Sequence, residues 1–283
     1  MRNKLFLALG LAAFGLSACK NDSGVTDPKP IAPAALIRFV NATVDTGTVD
    51  FRFVDKVENL PTFLGVKFRG TSGGYQRVDP GARPVRIFVN STNPTEAQKR
   101  LVDTTITLAA DARYTLVYMG QARGNADRLV VLTDPVTFPT PAAGNIAVRI
   151  LNADPLLGPA DVYVARSDTT DPVAKNAAKF TNVPVQAYSN YSELAAASST
   201  TLLKFAVAPT GSTTPTYTNS PNVPGAAPPA GATYGPQPGV RIAGSVLTAI
   251  LTGAPTPGSP DTLSSNQATS TRVVLISDKV LNP

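Results

Sequence analysis

The chain has 283 residues, with 25 lysines and arginines against 19 aspartates and glutamates, one cysteine and no histidine. The missing histidine excludes Ser-His-Asp and Cys-His nucleophile systems, histidine zinc sites and histidine general bases, and a lone cysteine excludes any disulfide within the chain. The positive excess is scattered, with no basic block and no stacking aromatics spaced among lysines and arginines, so nucleic acid is not an expected partner. The glycines of "RGTSGGYQ" (Gly70, Gly73, Gly74) lack the lysine and helix of a phosphate loop and read as a turn.

Residues 1–18 have the layout of a secretory signal, with Arg2 and Lys4 ahead of an apolar run from Leu5 to Leu16. That run is shorter than the roughly 20 apolar residues of a spanning helix. Its end, Leu16-Ser17-Ala18-Cys19, resembles the lipobox of bacterial lipoproteins. The resemblance implies that the Cys19 thiol takes a diacylglyceryl group and that the new amino terminus takes a further acyl chain of the palmitate class. Cys19 is thus the expected lipid-attachment site and membrane lipid the expected first partner. Loss of 18 residues from 283 leaves 265, long enough for two domains, and loss of Arg2 and Lys4 lowers the net charge from +6 to about +4. Lys20, by the enterobacterial sorting rule, points to the outer membrane. From residue 19 to 34 the chain is polar and Pro-containing, without apolar periodicity, and is expected to be a flexible tether.

The remainder repeats itself. "IRFVNA" at 37–42 returns as "VRILNA" at 148–153, and nine residues after each asparagine an aspartate opens an alternating run, Asp50-Phe51-Arg52-Phe53-Val54 and Asp161-Val162-Tyr163-Val164. "VRIFV" at 85–89 matches "LKFAV" at 203–207, "YTLVYMG" at 114–120 matches "LTAILTG" at 247–253, and "LVVLTD" at 129–134 matches "VVLISD" at 273–278. Short apolar runs punctuated by Gly, Pro, Asn and Asp read as strands of a sandwich or barrel. The expected fold is all-β, two tandem immunoglobulin-like antiparallel β-sandwich domains at 35–134 and 146–283, joined by a linker at 135–145. Alternation places Ile37, Phe39, Phe51 and Phe53 on a buried face and Arg38, Asp50 and Arg52 on a wet one. "YTLVY" and "LTAIL" are apolar at both parities, as a strand covered on both faces should be.

Helix is scarce. "PTEAQKRL" at 94–101 and the segment after Asp171-Pro172 read as short helices, the latter with an aspartate N-cap and proline at the first position. The Pro, Gly, Thr and Ala run at 208–239 reads as a long mobile insertion, or alternatively as a binding loop ordered by a partner.

"IRFVNA", the Asp50 strand, "YQRVDPGARPVRI" and "LAADARYTLVYMG" together resemble the bacterial domain of unknown function numbered 4397. The resemblance covers nearly all of 35–134. In the second unit "VRILNADP" and "ADVYV" match, whereas the Pro-Gly turn is replaced by "LAAASS" and Tyr-Thr by Leu247-Thr248. It implies extracytoplasmic β-sandwich repeats, often in lipoproteins, and brings no catalytic residues with it.

Candidate chemistry is sparse. Arg38 with Asp50, and Arg149 with Asp161, occupy matching positions and read as cross-strand charge pairs on a solvated face, with a ligand-facing pair as the alternative. Asp45, Asp50 and Asp55 offer hard ligands for calcium, but their spacing is not that of an EF-hand and the second unit has no equivalent triplet. Asn41 and Asn152 read as bonding turn backbone at strand ends. Tyr75, Tyr188 and Tyr191 read as exposed tyrosines that pack locally or, alternatively, form a sugar- or peptide-binding face. The expectation is a lipid-anchored envelope protein, a non-catalytic interaction or structural module without catalytic residues, cofactor or metal, meeting an envelope protein or surface polymer. The alternative is an envelope enzyme or solute-binding component using carboxylates such as Asp50 or Asp161.

Overall fold

The computed structural model describes residues 32–56, 62–256 and 272–281. The signal segment, Cys19 and the expected tether up to residue 31 lie outside the described residues.

The first half runs β1 (Ala35–Thr43), β2 (Val49–Phe53), β3 (Phe63–Val66), β4 (Gly70–Thr71), β5 (Gln76–Val78), β6 (Gly81–Val89), the single-turn α1 (Pro94–Ala97), β7 (Arg100–Leu108), β8 (Arg113–Gly120) and β9 (Arg128–Asp134). The second half runs β10 (Asn145–Ala153), β11 (Ala160–Arg166), the single-turn α2 (Pro172–Lys175), β12 (Phe180–Val183), β13 (Ser192–Ala195), β14 (Leu203–Pro209), β15 (Tyr217–Asn219), β16 (Val246–Thr252) and β17 (Val273–Ser277). Both helices start as expected, on proline: Asn93 Oδ1 accepts from Thr95 N at 3.0 Å and Asp171 Oδ1 from Val173 N at 3.1 Å.

Each half holds two sheets, β4-β1-β8-β9 (with β5 also on β1) over β3-β2-β6-β7, and β13-β10-β16-β17 over β12-β11-β14-β15. The five matched segments occupy corresponding strands of corresponding sheets. The all-β class is as expected, with one refinement: β1 and β8 pair in parallel, as do β10 and β16. Both pairs are joined by long excursions through the opposite sheet, the kind of connection parallel neighbours require.

Alternation along β1 and β8 sends Ile37, Phe39, Tyr114, Leu116 and Tyr118 into a core completed by Phe51, Phe53, Val85 and Ile87 of the facing sheet. In the second half Val148, Ile150, Leu247, Ala249 and Leu251 meet Val162, Phe205 and Val207 in the same way. The opposite parity of β8 was expected to be covered, and that of β1 to face water. Instead, Val40, Ala42, Val117 and Met119 pack against Leu151, Ala153 and Ile250 of the second half. The two inner sheets therefore face each other, and the molecule is a stack of four layers. At about 10 Å between packed sheets, its outer sheets stand roughly 30 Å apart.

The insertion at 208–239 is structured, contrary to the mobile segment expected. Tyr217–Asn219 adds to β14 as the edge strand β15. Beyond it, Ala226 and Gln237 exchange backbone bonds of 3.1 and 2.8 Å, while Val240 N donates to Val223 O (2.9 Å) and Arg241 N to Pro224 O (3.0 Å). Arg241 Nε ties this arm to Thr201 O at 2.8 Å.

Candidate functional site

The face that joins the halves carries a cluster of ions built twice over. On β1 and β8 the parallel register sets Arg38 beside Thr115, and on β10 and β16 it sets Arg149 beside Thr248. Arg38 Nε donates to Thr115 Oγ1 (2.8 Å), whose hydroxyl donates to Asp134 Oδ2 (2.6 Å) at the end of β9. Arg149 Nε donates to Thr248 Oγ1 (2.9 Å), whose hydroxyl donates to Asp278 Oδ2 (2.6 Å) just past β17. The ion pairs then cross between halves: Arg38 Nη2 to Asp278 Oδ1 at 2.6 Å, and Arg149 Nη2 to Asp134 Oδ1 at 2.5 Å. Each guanidinium also lies within 4.0 Å of the other aspartate. Residues equivalent in sequence thus meet through an approximate two-fold relation.

All four charges are buried, Arg38 completely. Burial alone would lower the Arg38 guanidinium, but Asp278 opposes it and the pKa is raised; Arg149 is likewise raised, with Asp278 again the strongest opposing charge. Tyrosines close the cluster. The Arg38 guanidinium lies 4.8 Å from the Tyr75 ring centre, and Arg149 lies 3.6 and 4.9 Å from those of Tyr188 and Tyr191. Tyr191 also donates to Asp278 Oδ2 at 2.7 Å, and burial followed by that carboxylate pushes its phenol up.

Two sequence readings are corrected here. Arg38 and Arg149 do not pair with Asp50 and Asp161 on a solvated face: the arginines lie on the inner sheets and the aspartates on the outer ones. Tyr75, Tyr188 and Tyr191 are not exposed but half-buried against the arginines. Alternation showed which residues share a face without showing that another sheet covers it. Asp134, Asp278, Thr115 and Thr248 went unremarked, although each sits at the same place in a matched segment.

Asp50 and Asp161 perform a common local task. Asp50 Oδ1 accepts from Gly65 N (2.8 Å) and Asn90 Nδ2 (2.9 Å), and Asp161 accepts from Asn182 N (2.7 Å) and Gly211 N (2.9 Å). Gly65 and Asn182 are left-handed residues, φ 64° and 50°, in the irregular edge strands β3 and β12. Beside these edges lie two open grooves of about 460 and 430 Å³, one lined by Leu64, Lys67 and Gln76 and the other by Lys179, Asn182 and Tyr191. The calcium triplet is dispersed: Asp45 accepts Ala122 N and Arg123 N at 2.9 Å each, while Asp55 pairs with Arg83 at 2.5 Å, a bond that holds its carboxyl below the usual range. Among the described residues no group of three or more His, Cys, Asp or Glu is placed to hold a metal.

Asn41 and Asn152 do bond turn backbone. Asn41 Nδ2 donates to Gly47 O (2.7 Å) and Val66 O (3.0 Å), and Asn152 Nδ2 donates to Gly158 O (2.8 Å) and Val183 O (3.1 Å). Each ties an inner strand to its following loop and to the neighbouring outer edge strand.

No curated protein matches the chain in sequence. Among solved structures, the C-terminal domain of AlgF from P. aeruginosa is similar at 17% identity, over 36% of this chain and 100% of that one, with a TM-score of 0.27. A streptococcal virulence factor that binds alpha-glucan is similar at 13% identity over 61% and 79%, TM-score 0.20. A candidate cell adhesion protein of Bacteroides uniformis is similar at 12% over 90% and 99%, TM-score 0.22. Likeness at these scores carries no function across. The family model that matches is the domain of unknown function DUF4397, over residues 35–163 from the start of β1 into β11, and across that segment the chain shows the family resemblance read from its Asn-Ala and Tyr-Thr strands.

Proposed function

We propose that this protein is a lipid-anchored module of the bacterial cell envelope that acts without catalysis, as a rigid structural or interaction element held to the membrane through Cys19. The observation that carries the reading is the cross-paired cluster: the most heavily charged group of side chains is spent on fixing one half to the other. Asp50 and Asp161, the carboxylates an enzymatic reading would use, each hold backbone N–H groups at edge strands. A stack locked in this way has little freedom to close on a substrate, but it keeps a fixed spacing between its outer faces. Anchoring rests on the lipobox-like Leu16-Ser17-Ala18-Cys19, and a doubly or triply acylated cysteine is sufficient for stable attachment. Among the described residues no helix is long and apolar enough to cross a membrane. Delivery to the outer membrane, from Lys20, and an envelope protein or surface polymer as partner belong to the same proposal.

The test is the mass of the N-terminal peptide of protein from its native membrane, with protease treatment of intact and lysed cells. An acylated Cys19, and release of Cys19→Ala from the membrane fraction, are expected. An unmodified thiol in membrane-free protein would overturn the anchoring. Cleavage on intact cells would assign surface contacts, and protection until lysis would assign periplasmic ones.

A further inference from the structure

Arg38 and Arg149 each direct Nε and Nη2 at an acceptor, but Arg272 Nε has none. This residue precedes β17, and its carbonyl is fixed by Thr252 N (2.8 Å) and Thr252 Oγ1 (3.1 Å). Its guanidinium lies 5.0 Å from the Tyr217 ring centre, and its Nε is buried without a hydrogen-bond partner. The Tyr217 hydroxyl is also buried without one. Buried polar atoms in folded proteins are almost always paired, with protein, water or ligand.

Arg272 opens onto a cavity of about 190 Å³, lined also by Asp154, Leu156, Leu157, Pro209, Thr216 and Ala254. At about 30 Å³ per water this is the volume of roughly six waters, enough for a short organic acid. Asp154, only 3% exposed, spends Oδ1 on Leu156 N (3.1 Å), and burial pushes its carboxyl up. No ion pair joins it to Arg272 among the described residues. The cavity therefore offers a guanidinium, a buried carboxyl group and short apolar walls.

We propose that this cavity binds a small hydroxycarboxylic acid, its carboxylate taken by the Arg272 guanidinium, its hydroxyl by Asp154 and its short carbon chain by Leu157 and Pro209. A simple fatty acid would bring no hydroxyl to the Asp154 carboxyl. Arg69, which bonds Thr252 Oγ1 (3.0 Å) and Gly253 O (2.8 Å), braces the strand end behind the cavity. The site is independent of lipid attachment and goes beyond the proposed structural role.

The test is titration of the full chain with lactate and, separately, with propionate, which lacks the hydroxyl. Lactate is expected to bind in about the millimolar range typical of so few contacts, with propionate weaker by roughly fivefold or more. Arg272→Met is expected to weaken lactate by about tenfold or more. Should Arg272→Met fail to fold, Arg272→Lys replaces it, keeping the charge but losing the planar two-pronged guanidinium and again weakening lactate. Absence of lactate binding, equal binding of propionate, or unchanged affinity in the Arg272 variant that folds would each overturn the proposal.

Discussion

Asn41 shows how one side chain sets local geometry. Its amide satisfies the carbonyls of Gly47 and Val66, and its Oδ1 accepts from Thr43 N at 3.2 Å. Asn41→Leu would orphan all three backbone groups in a buried place. At about 1–3 kcal/mol for each unsatisfied group, the variant should lose about 3 kcal/mol or more, read from its urea midpoint, and Asn152→Leu should behave alike. The tyrosines make a second prediction. Burial, ahead of nearby charges, raises the phenols of Tyr75, Tyr191 and Tyr217. In the unfolded chain they ionise near pH 10, whereas in the folded chain they stay protonated higher. Their contribution to stability is therefore complete below about pH 10 and is lost as pH rises through that value and beyond. Urea titrations at pH 8 and pH 11 should show a lower midpoint at the higher pH, while an unchanged midpoint would contradict the buried placement. Asn41 was legible in the sequence because its position repeats and asparagine bonds turn backbone. The destination of Arg38 was not, because the aspartate that takes its charge, Asp278, lies 240 positions away.

At the scale of elements, period-two patterning carried most of the information. It identified the matched strands, and the double-sided apolar run of "YTLVY" and "LTAIL" marked β8 and β16 as covered on both faces. Val40 and Ala42 share the parity of Arg38 and are both apolar, a sign of cover that the arginine and Asp50 obscured. The insertion at 208–239 was misread as mobile for a different reason. Its composition matches that of mobile segments, yet close approach of two glycines holds its neck together. A Cβ on Gly239 would stand 2.1 Å from Gly225 N and 2.4 Å from the Pro224 carbonyl carbon, both backbone atoms that cannot turn aside. Gly239→Ala is therefore expected to open the arm, increasing proteolytic cleavage within 223–241 and lowering the urea midpoint, because the arm carries Val240 of the second core. Cleavage at the wild-type rate would show that the neck does not hold the arm. On the edge strands β3 and β12, the irregularities held by Asp50 and Asp161 interrupt the regular row of backbone groups that another chain would need for pairing.

For the whole molecule, the central claim is that two sandwiches are fused face to face by apolar packing around a buried quartet of charges. Burying four charges is costly, and a buried pair often adds little net stability over apolar residues of the same volume. Its larger consequence is specificity: a rotated or slipped docking would strand Arg38 and Arg149 away from Asp278 and Asp134. This makes the relative placement of the halves a property of four side chains, and it gives the proposed envelope role its rigid spacing. The most direct measurement is a double-mutant cycle of Arg38→Met and Asp278→Leu in the full chain, followed by equilibrium unfolding. Each single variant takes from a buried charge its nearest partner, leaving only the more distant one, and should lose about 3 kcal/mol. The double variant still strands the Thr248 and Tyr191 hydroxyls that Asp278 accepts, so recovery will be incomplete, but its loss should fall short of the sum of the singles by about 2 kcal/mol or more. Losses that add to within about 0.5 kcal/mol, as expected for independent sites, would contradict the contact between the halves and with it the four-layer stack.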